Sequence, residues 1–279
     1  MQKARFFSKY KAFMKTGFLN VLAYKFNVFS WFLIAATSLI CMFFLWEAVF
    51  RNSPTTEING FTFQGLIAYT VIVNIFGFTM GGGDTHDSIS DEIKKGQIAM
   101  SLIKPISYRL RFLFTTLGSL VATNLMIGIP FLLVASVLLG VNGFITFQEP
   151  VVFIRNLLLF FVAQFLAKML FDVIDYIFGL ITFYTMAAFG LAQIKSVVID
   201  FLSGILIPIA FFPEWAEKVI NCLPFVGMAQ NPTLIFLGKM SVEEALYSIL
   251  LQFVWWMALE IFAHFFFERA IKIVTIQGG

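Results

Sequence analysis

Six long apolar stretches in a chain of 279 residues leave few folds open to it. They fall at 27–50, 61–80, 112–140, 151–167, 173–193 and 245–267. A helix needs about 20 mostly apolar residues, with a lower limit of about 17, to cross the hydrocarbon core of a bilayer. The chain is 59% hydrophobic and only 13% charged, with 37 Phe; a soluble domain carries about twice that share of charge. This much apolar surface cannot be hidden from water, so lipid is the solvent for most of the chain. The expected fold is an all-α integral membrane domain spanning 1–279 with six transmembrane helices.

A further apolar piece, 201–212, is too short to cross. It contains Pro208 and runs into Pro213. The segment 201–225 therefore reads as an outer re-entrant piece, broken by Gly204 and three prolines, with Trp215 suited to an interface. Irregular backbone at membrane depth is tolerated only under a cover of protein or beside a water-filled cavity.

The distribution of Lys and Arg orients the chain. With the start of the chain in the cytoplasm, the inner side holds Lys3, Arg5, Lys9, Lys11, Lys15, Lys25, Lys94, Lys95, Lys104, Arg109, Arg111, Lys168, Arg269 and Lys272, which are 14 of the 19 basic residues. Arg51, Arg155, Lys195, Lys218 and Lys239 fall outside. Six spans place both termini in the cytoplasm of a cell (inner) membrane protein. Lys168, Asp172 and Asp175 leave two arrangements open for the fourth and fifth spans: a short inner turn around them, which is preferred, or one long helix with the turn near 193–196.

The first 25 residues carry six basic residues, no acidic one and no small-residue cleavage site, so no cleavable signal is expected. Phe6, Tyr10, Phe13, Phe18 and Val21 recur at helical spacing between lysines. That pattern predicts a helix lying in the inner interface, its lysines near anionic headgroups. Cys41 and Cys222 differ in depth and are expected to be free thiols.

Catalytic chemistry finds little support. Asp84, His86 and Asp87 are close in sequence, but acidic and small polar residues here are better read as opening a helix, with Asp84 or Asp87 as its N-cap. No catalytic or metal-binding residue is expected. Gly81, Gly82 and Gly83 are not followed by the Lys-Ser/Thr pair of a phosphate-cradling loop, and no other segment fits one, so no cofactor is expected in this chain and, if transport is ATP-driven, another subunit must bind the nucleotide. Neither does a net charge of +3 argue for nucleic acid. Ion-coupled transporters place ionisable groups near the bilayer midplane; the first three spans have almost none, and Lys168, Asp172 and Asp175 read as a structural ion pair on one helix face. Thr70 and Asn74 on the second span, and Thr116 and Thr123 on the third, are candidate pathway-lining residues, with hydrogen bonding between helices as the alternative. Gly77 and Gly81 form a small-xxx-small pair.

The inner loop 84–105 carries the most charge. Asp91 and Glu92 precede Lys94 and Lys95, an order that complements a helix dipole, and Gly96 and Pro105 punctuate the segment. Ile89, Ile93, Ile98, Leu102 and Ile103 supply an apolar face. The loop predicts a short amphipathic helix along the inner surface, against which a motor subunit can push.

These residues resemble the membrane subunit of type-2 ATP-binding-cassette (ABC) exporters. A Ser-Gly-x-x-x-Pro-x-x-x-x-Pro stretch before the last span is matched by Ser203, Gly204, Pro208 and Pro213. An inner Gly-x-Ile/Leu-x-x-x-Leu-Ile/Leu-x-Pro loop is matched by Gly96, Ile98, Leu102, Ile103 and Pro105. Leu223 to Phe225, with Gln230 and Pro232, match later motifs. The resemblance implies a non-catalytic permease half. It would pair with a second permease subunit, identical or related, and with cytoplasmic ABC ATPase subunits that bind ATP and Mg. It makes 84–105 the coupling region, with Asp91, Glu92, Ile93, Lys94, Lys95, Gly96, Ile98, Leu102 and Lys104 as ATPase-coupling residues. Ser203, Gly204, Pro208 and Pro213 become an outer gate, and 1–25 an elbow-like helix on membrane lipid. The Phe-rich spans favour an amphipathic cargo: a drug, peptide or lipid.

Overall fold

Apolar runs this long satisfy their backbone internally in the only way lipid allows short of a barrel, as helices. A computed structural model describes every residue except 1, 24, 81–84, 146–148, 186–187 and 278–279. Helix α1 (Gln2–Ala23) leads into α2 (Lys25–Arg51). A two-residue hairpin follows, in which β1 (Glu57–Ile58) pairs antiparallel with β2 (Phe61–Thr62). Its turn is Asn59–Gly60, both at positive φ, the dipeptide that suits the twist of a tight hairpin. Next come α3 (Phe63–Met80), the short loop helices α4 (Thr85–Lys94) and α5 (Ile98–Leu102), then α6 (Tyr108–Thr123) and α7 (Ile129–Val141). Helices α8 (Pro150–Ile181), α9 (Ala188–Leu202), α10 (Glu214–Cys222), α11 (Gln230–Phe236) and α12 (Val242–Gln277) complete the chain.

Between α6 and α7 the helix widens into a π segment, Asn124–Gly128. Pro130 stands just beyond. A proline ring collides with the carbonyl four residues back and offers no N–H to it, and one extra residue per turn relieves both. The helix thus runs on through a wide turn instead of breaking.

Five helical stretches are long and apolar enough to span a membrane, among the described residues: Leu33–Arg51, Phe63–Lys94, Tyr108–Val141, Pro150–Ile181 and Val242–Lys272. Within the second, the described helices are α3 (Phe63–Met80) and α4 (Thr85–Lys94). Helix α9 has 15 residues, about 22 Å at 1.5 Å per residue, short of a full crossing.

The preferred inner turn at Lys168 does not form. Helix α8 runs unbroken from Pro150 to Ile181 through Lys168, Asp172 and Asp175, so the expected spans 151–167 and 173–193 do not exist as drawn. The chain turns at 182–185 instead, neither at Lys168 nor near 193–196. These three charges are not at a water boundary because each finds a partner inside the bundle.

Helix α8 is the centre of the packing, with α4, α11 and α12 against it. One core, at the β-hairpin end, gathers Trp46, Leu66, Tyr69, Phe76 and Phe160. Another, at the end with α4 and α5, gathers Ile89, Ile98, Tyr108, Phe112, Tyr176 and Ala263. Outward faces are apolar too: Ile34, Phe44, Leu133, Val137, Leu158, Leu250, Val254 and Phe262 are all exposed. In water such a surface would be an aggregation site; in lipid it is the solvated face.

Helix α1 is drawn onto the bundle, beyond what an interfacial helix requires. It lies along α6, with Tyr10 and Gly17 buried and Lys9, Lys11 and Lys15 exposed. The Tyr10 hydroxyl accepts the Ser107 N–H at 3.0 Å. Cys41 and Cys222 are exposed free thiols.

Candidate functional site: a buried ionic hub beneath the charged loop

Lys168, Asp172 and Asp175 project from one face of α8 and are 0%, 1% and 2% exposed. Charges so deep in a membrane bundle persist only when paired. The Lys168 ammonium donates to the Met80 carbonyl at the end of α3. One Asp172 oxygen accepts from Thr116 Oγ1 at 2.6 Å and from Thr85 Oγ1 at 3.1 Å; the other meets Arg109 Nη1 at 2.6 Å. Asp175 accepts the His86 backbone N–H at 2.9 Å and pairs with Lys195 of α9. Arg109 in turn binds Glu260 of α12, Nε to Oε2 at 3.0 Å and Nη2 to Oε1, and lies over the Tyr176 ring. Trp256 donates to the same Glu260 at 3.2 Å. Arg109, Lys168 and Lys195 offset Asp172, Asp175 and Glu260, so the hub is formally neutral, and it joins α3, α4, α6, α8, α9 and α12.

Lys195 therefore lies at the α4 end of the bundle and not with the outer segment, which corrects its placement in the charge count. His86 is buried with its ring Nδ1 2.9 Å from Asp87 Oδ1. Gly81, Gly82, Gly83 and Asp84, with the N-cap reading of Asp84, lie outside the described residues.

The loop helices cover the hub. Glu92, read as a coupling residue, faces inward: it meets Arg111 at 2.8 Å and accepts the Tyr108 hydroxyl at 3.0 Å. Ile89 and Ile98 are buried, and Ile93 and Leu102 pack on the same core. Ile103 departs from the expected apolar face, being 81% exposed, and Met100 is 66% exposed. Asp91, Lys94, Lys95, Gly96 and Lys104 are exposed with them. Lys95 hydrogen-bonds Asp91 at 2.7 Å, and that bond, helped by the ammonium charge, lowers the carboxyl pKa from its ordinary value. The outer surface of α4 and α5 is thus a mixed patch of charges around two bare apolar side chains.

At the other end, Ser203 and Gly204 form a tight junction after α9. Ser203 and Pro208 are buried, Pro213 is exposed, and Pro208 and Pro213 open the next helical turns. Tyr69 of α3 donates to the Gly204 carbonyl at 2.7 Å. Gln230 Oε1 accepts the Ile209 N–H at 2.7 Å, and the Gln230 N–H donates to the Ser203 carbonyl at 3.0 Å. Gly204 has φ +84°, and a Cβ there would sit 2.7 Å from Tyr69 Oη and 2.8 Å from Gln230 Oε1. Gly204→Ala is expected to cost about 1–2 kcal/mol from the left-handed backbone alone, read as a lower unfolding midpoint in detergent, with Ser203→Ala much milder.

Of the candidate lining residues, Thr116 belongs to the hub. Thr70 returns its hydroxyl to the Leu66 carbonyl of its own helix, and Thr123 is buried. Asn74 borders two cavities, of 450 and 310 Å³. Arg109, Glu260, Lys195, Tyr69 and Gln252, which donates to the Gly227 carbonyl, were not expected at these sites. The Tyr69 bond, like the Arg109–Glu260 pair, links elements far apart in sequence, and only the polarity of Gln252 and Glu260 within an apolar run hinted at a partner.

Lipid-sized apolar faces around a buried neutral hub, with polar side chains turned inward, define an all-α, multi-pass membrane protein. Residues 36–278 match the family model described as ABC-2 family transporter protein. The chain belongs to that family and is an ABC transport permease, a class that works with ABC ATPase subunits. No curated protein matches it.

Proposed function

We propose that this chain is the permease half of an ATP-driven exporter in the cell membrane. Two such chains, identical or related, form the pathway, and cytoplasmic ATPase subunits carrying ATP and Mg drive it from the α4–α5 surface. Both termini then face the cytoplasm with that surface, and 201–225 faces the opposite side as a gate. Helix α9 together with the segment after it serves as the fifth of six crossings. Lys195 places the inner half of α9 at the hub, whereas α12 begins 18 residues before Glu260, about 27 Å away along its axis. The cargo is amphipathic.

The observation that carries this reading is the patch of Asp91, Lys94, Lys95, Met100, Ile103 and Lys104, presented to solvent directly above a hub that reaches α6, α9 and α12. Exposed apolar anchors among charges are what a docking partner buries. Ile103→Asp is expected to reduce co-purification of the ATPase with the tagged permease at least about tenfold, while the permease keeps its yield and unfolding midpoint. Undiminished capture, or full-rate transport by the chain reconstituted without any ATPase, would remove the motor reading.

A further inference from the structure

Asp200, half-buried on its helix, differs from the buried carboxylates Asp172 and Asp175 in having no cation beside it. It lies on α9, one and a half turns beyond Lys195, and among the described residues its partner is the Ser196 hydroxyl at 3.3 Å, with no ion pair. Lys195, the nearest cation in sequence, is engaged by Asp175. Asp200 borders the 310 Å³ cavity between α2, α3 and α9, where Ser38, Asn74 and Ser196 are its polar companions. A carboxylate left without a countercharge inside a membrane domain is costly, and such groups mark binding or transport sites.

The neighbouring cavity is more uniformly apolar and carries no charge. It occupies 450 Å³ among Ala36, Leu39, Val71, Phe131 and Leu138, and Asn74 is its one polar wall residue. Asn74 and Phe78 are common to both cavities. A chamber whose mainly apolar wall carries one carboxylate and three neutral polar side chains thus adjoins a chamber that is apolar but for Asn74, across a two-residue wall. Each lies in the size range of small-molecule sites, roughly 300–1,000 Å³.

We infer that the paired cavities bind a cationic amphiphile, its ammonium or guanidinium head at Asp200 and its hydrocarbon part between α2, α3 and α7. The inference rests on the exporter reading for its role as a cargo site, and assigns the cargo a positive charge. Anionic amphiphiles are disfavoured by the same carboxylate, and neutral ones gain only the apolar chamber.

The test uses the full chain in nanodiscs of an uncharged glycolipid, with radiolabelled dodecyltrimethylammonium, dodecanol and dodecyl sulfate as probes. The cation binds saturably and at least about tenfold more tightly than the alcohol, a difference that a single desolvated charge pair readily supplies. Asp200→Asn brings the cation down to the level of the alcohol, and Asp200→Glu retains most of the preference. Ala36→Trp, which fills the apolar chamber, weakens both probes. Because Asp200→Asn removes a lone charge, its unfolding midpoint stays at or above that of the parent chain. Equal binding of the cation by Asp200→Asn overturns the inference, as does equal binding of dodecyl sulfate by the parent chain. A change in dimer content with cation binding intact also overturns it, by assigning Asp200 to a second copy of the chain. No ATPase is present in this assay, so a chain that binds the cation but captures no ATPase keeps the site and loses the exporter reading.

Discussion

Arg109→Met is expected to cost about 3–5 kcal/mol of stability, because it strands two carboxylates in the interior. Arg109 stands between Asp172 and Glu260 with short contacts to each. Asp172 has no water to turn to, and the Thr85 and Thr116 hydroxyls that also serve it cannot neutralise it. Methionine matches much of the arginine stem in volume, so the loss reports charge and not a cavity. The measurement is the unfolding midpoint of the detergent-solubilised chain. Adding Asp172→Asn to Arg109→Met is expected to recover part of the loss, since an amide oxygen still accepts from both threonines while the stranded charge is gone. Strictly additive costs in this double-mutant cycle would show that the two residues are not coupled.

Gly118→Val is the second large effect. A Cβ on Gly118 would lie 1.9 Å from the Met14 carbonyl oxygen, and one on Gly17 would lie 2.0 Å from the Thr115 carbonyl oxygen. Helices α1 and α6 therefore touch backbone to backbone, as small residues permit in membranes. Overpacking costs typically about 1–3 kcal/mol, and the obstacle here is main chain, which cannot rotate aside, so the upper end applies. The substitution is expected to pry α1 from α6, seen as faster tryptic cleavage after Lys9, Lys11 and Lys15 and faster amide exchange along α1. Gly77→Ala is the control: its nearest foreign atom would be Ile205 Cδ1 at 3.8 Å, an ordinary contact.

That contrast locates what sequence can and cannot convey. Gly77 and Gly81 carry the spacing of a helix-packing motif, yet a Cβ on Gly77 would meet only the Ile205 side chain at ordinary contact distance, and Gly81 lies outside the described residues. Gly17 and Gly118, on different helices with no shared motif, make the close crossing. Long apolar runs were legible because lipid imposes length and hydrophobicity residue by residue. The face shared by Lys168, Asp172 and Asp175 was legible as helical spacing. Its depth was not, since an unpaired charge belongs at a boundary and a paired one does not, and the partners lie on α3, α4, α6 and α9. Ile103 and Glu92 exchange their expected sides for a related reason. Glu92 is drawn inward by Arg111 and Tyr108, and the chain after α5 turns Ile103 out.

The neutrality of the hub governs how the bundle can rearrange. Sliding α6 or α9 past α8 would pull unlike charges apart where little water can screen them, at an energy rising with every ångström. Small independent adjustments are therefore suppressed, and the attached helices move together or stay put. On the proposed coupling role, a shove on the α4 surface would meet an all-or-none response, in the manner of a gear train whose teeth are ion pairs and hydrogen bonds.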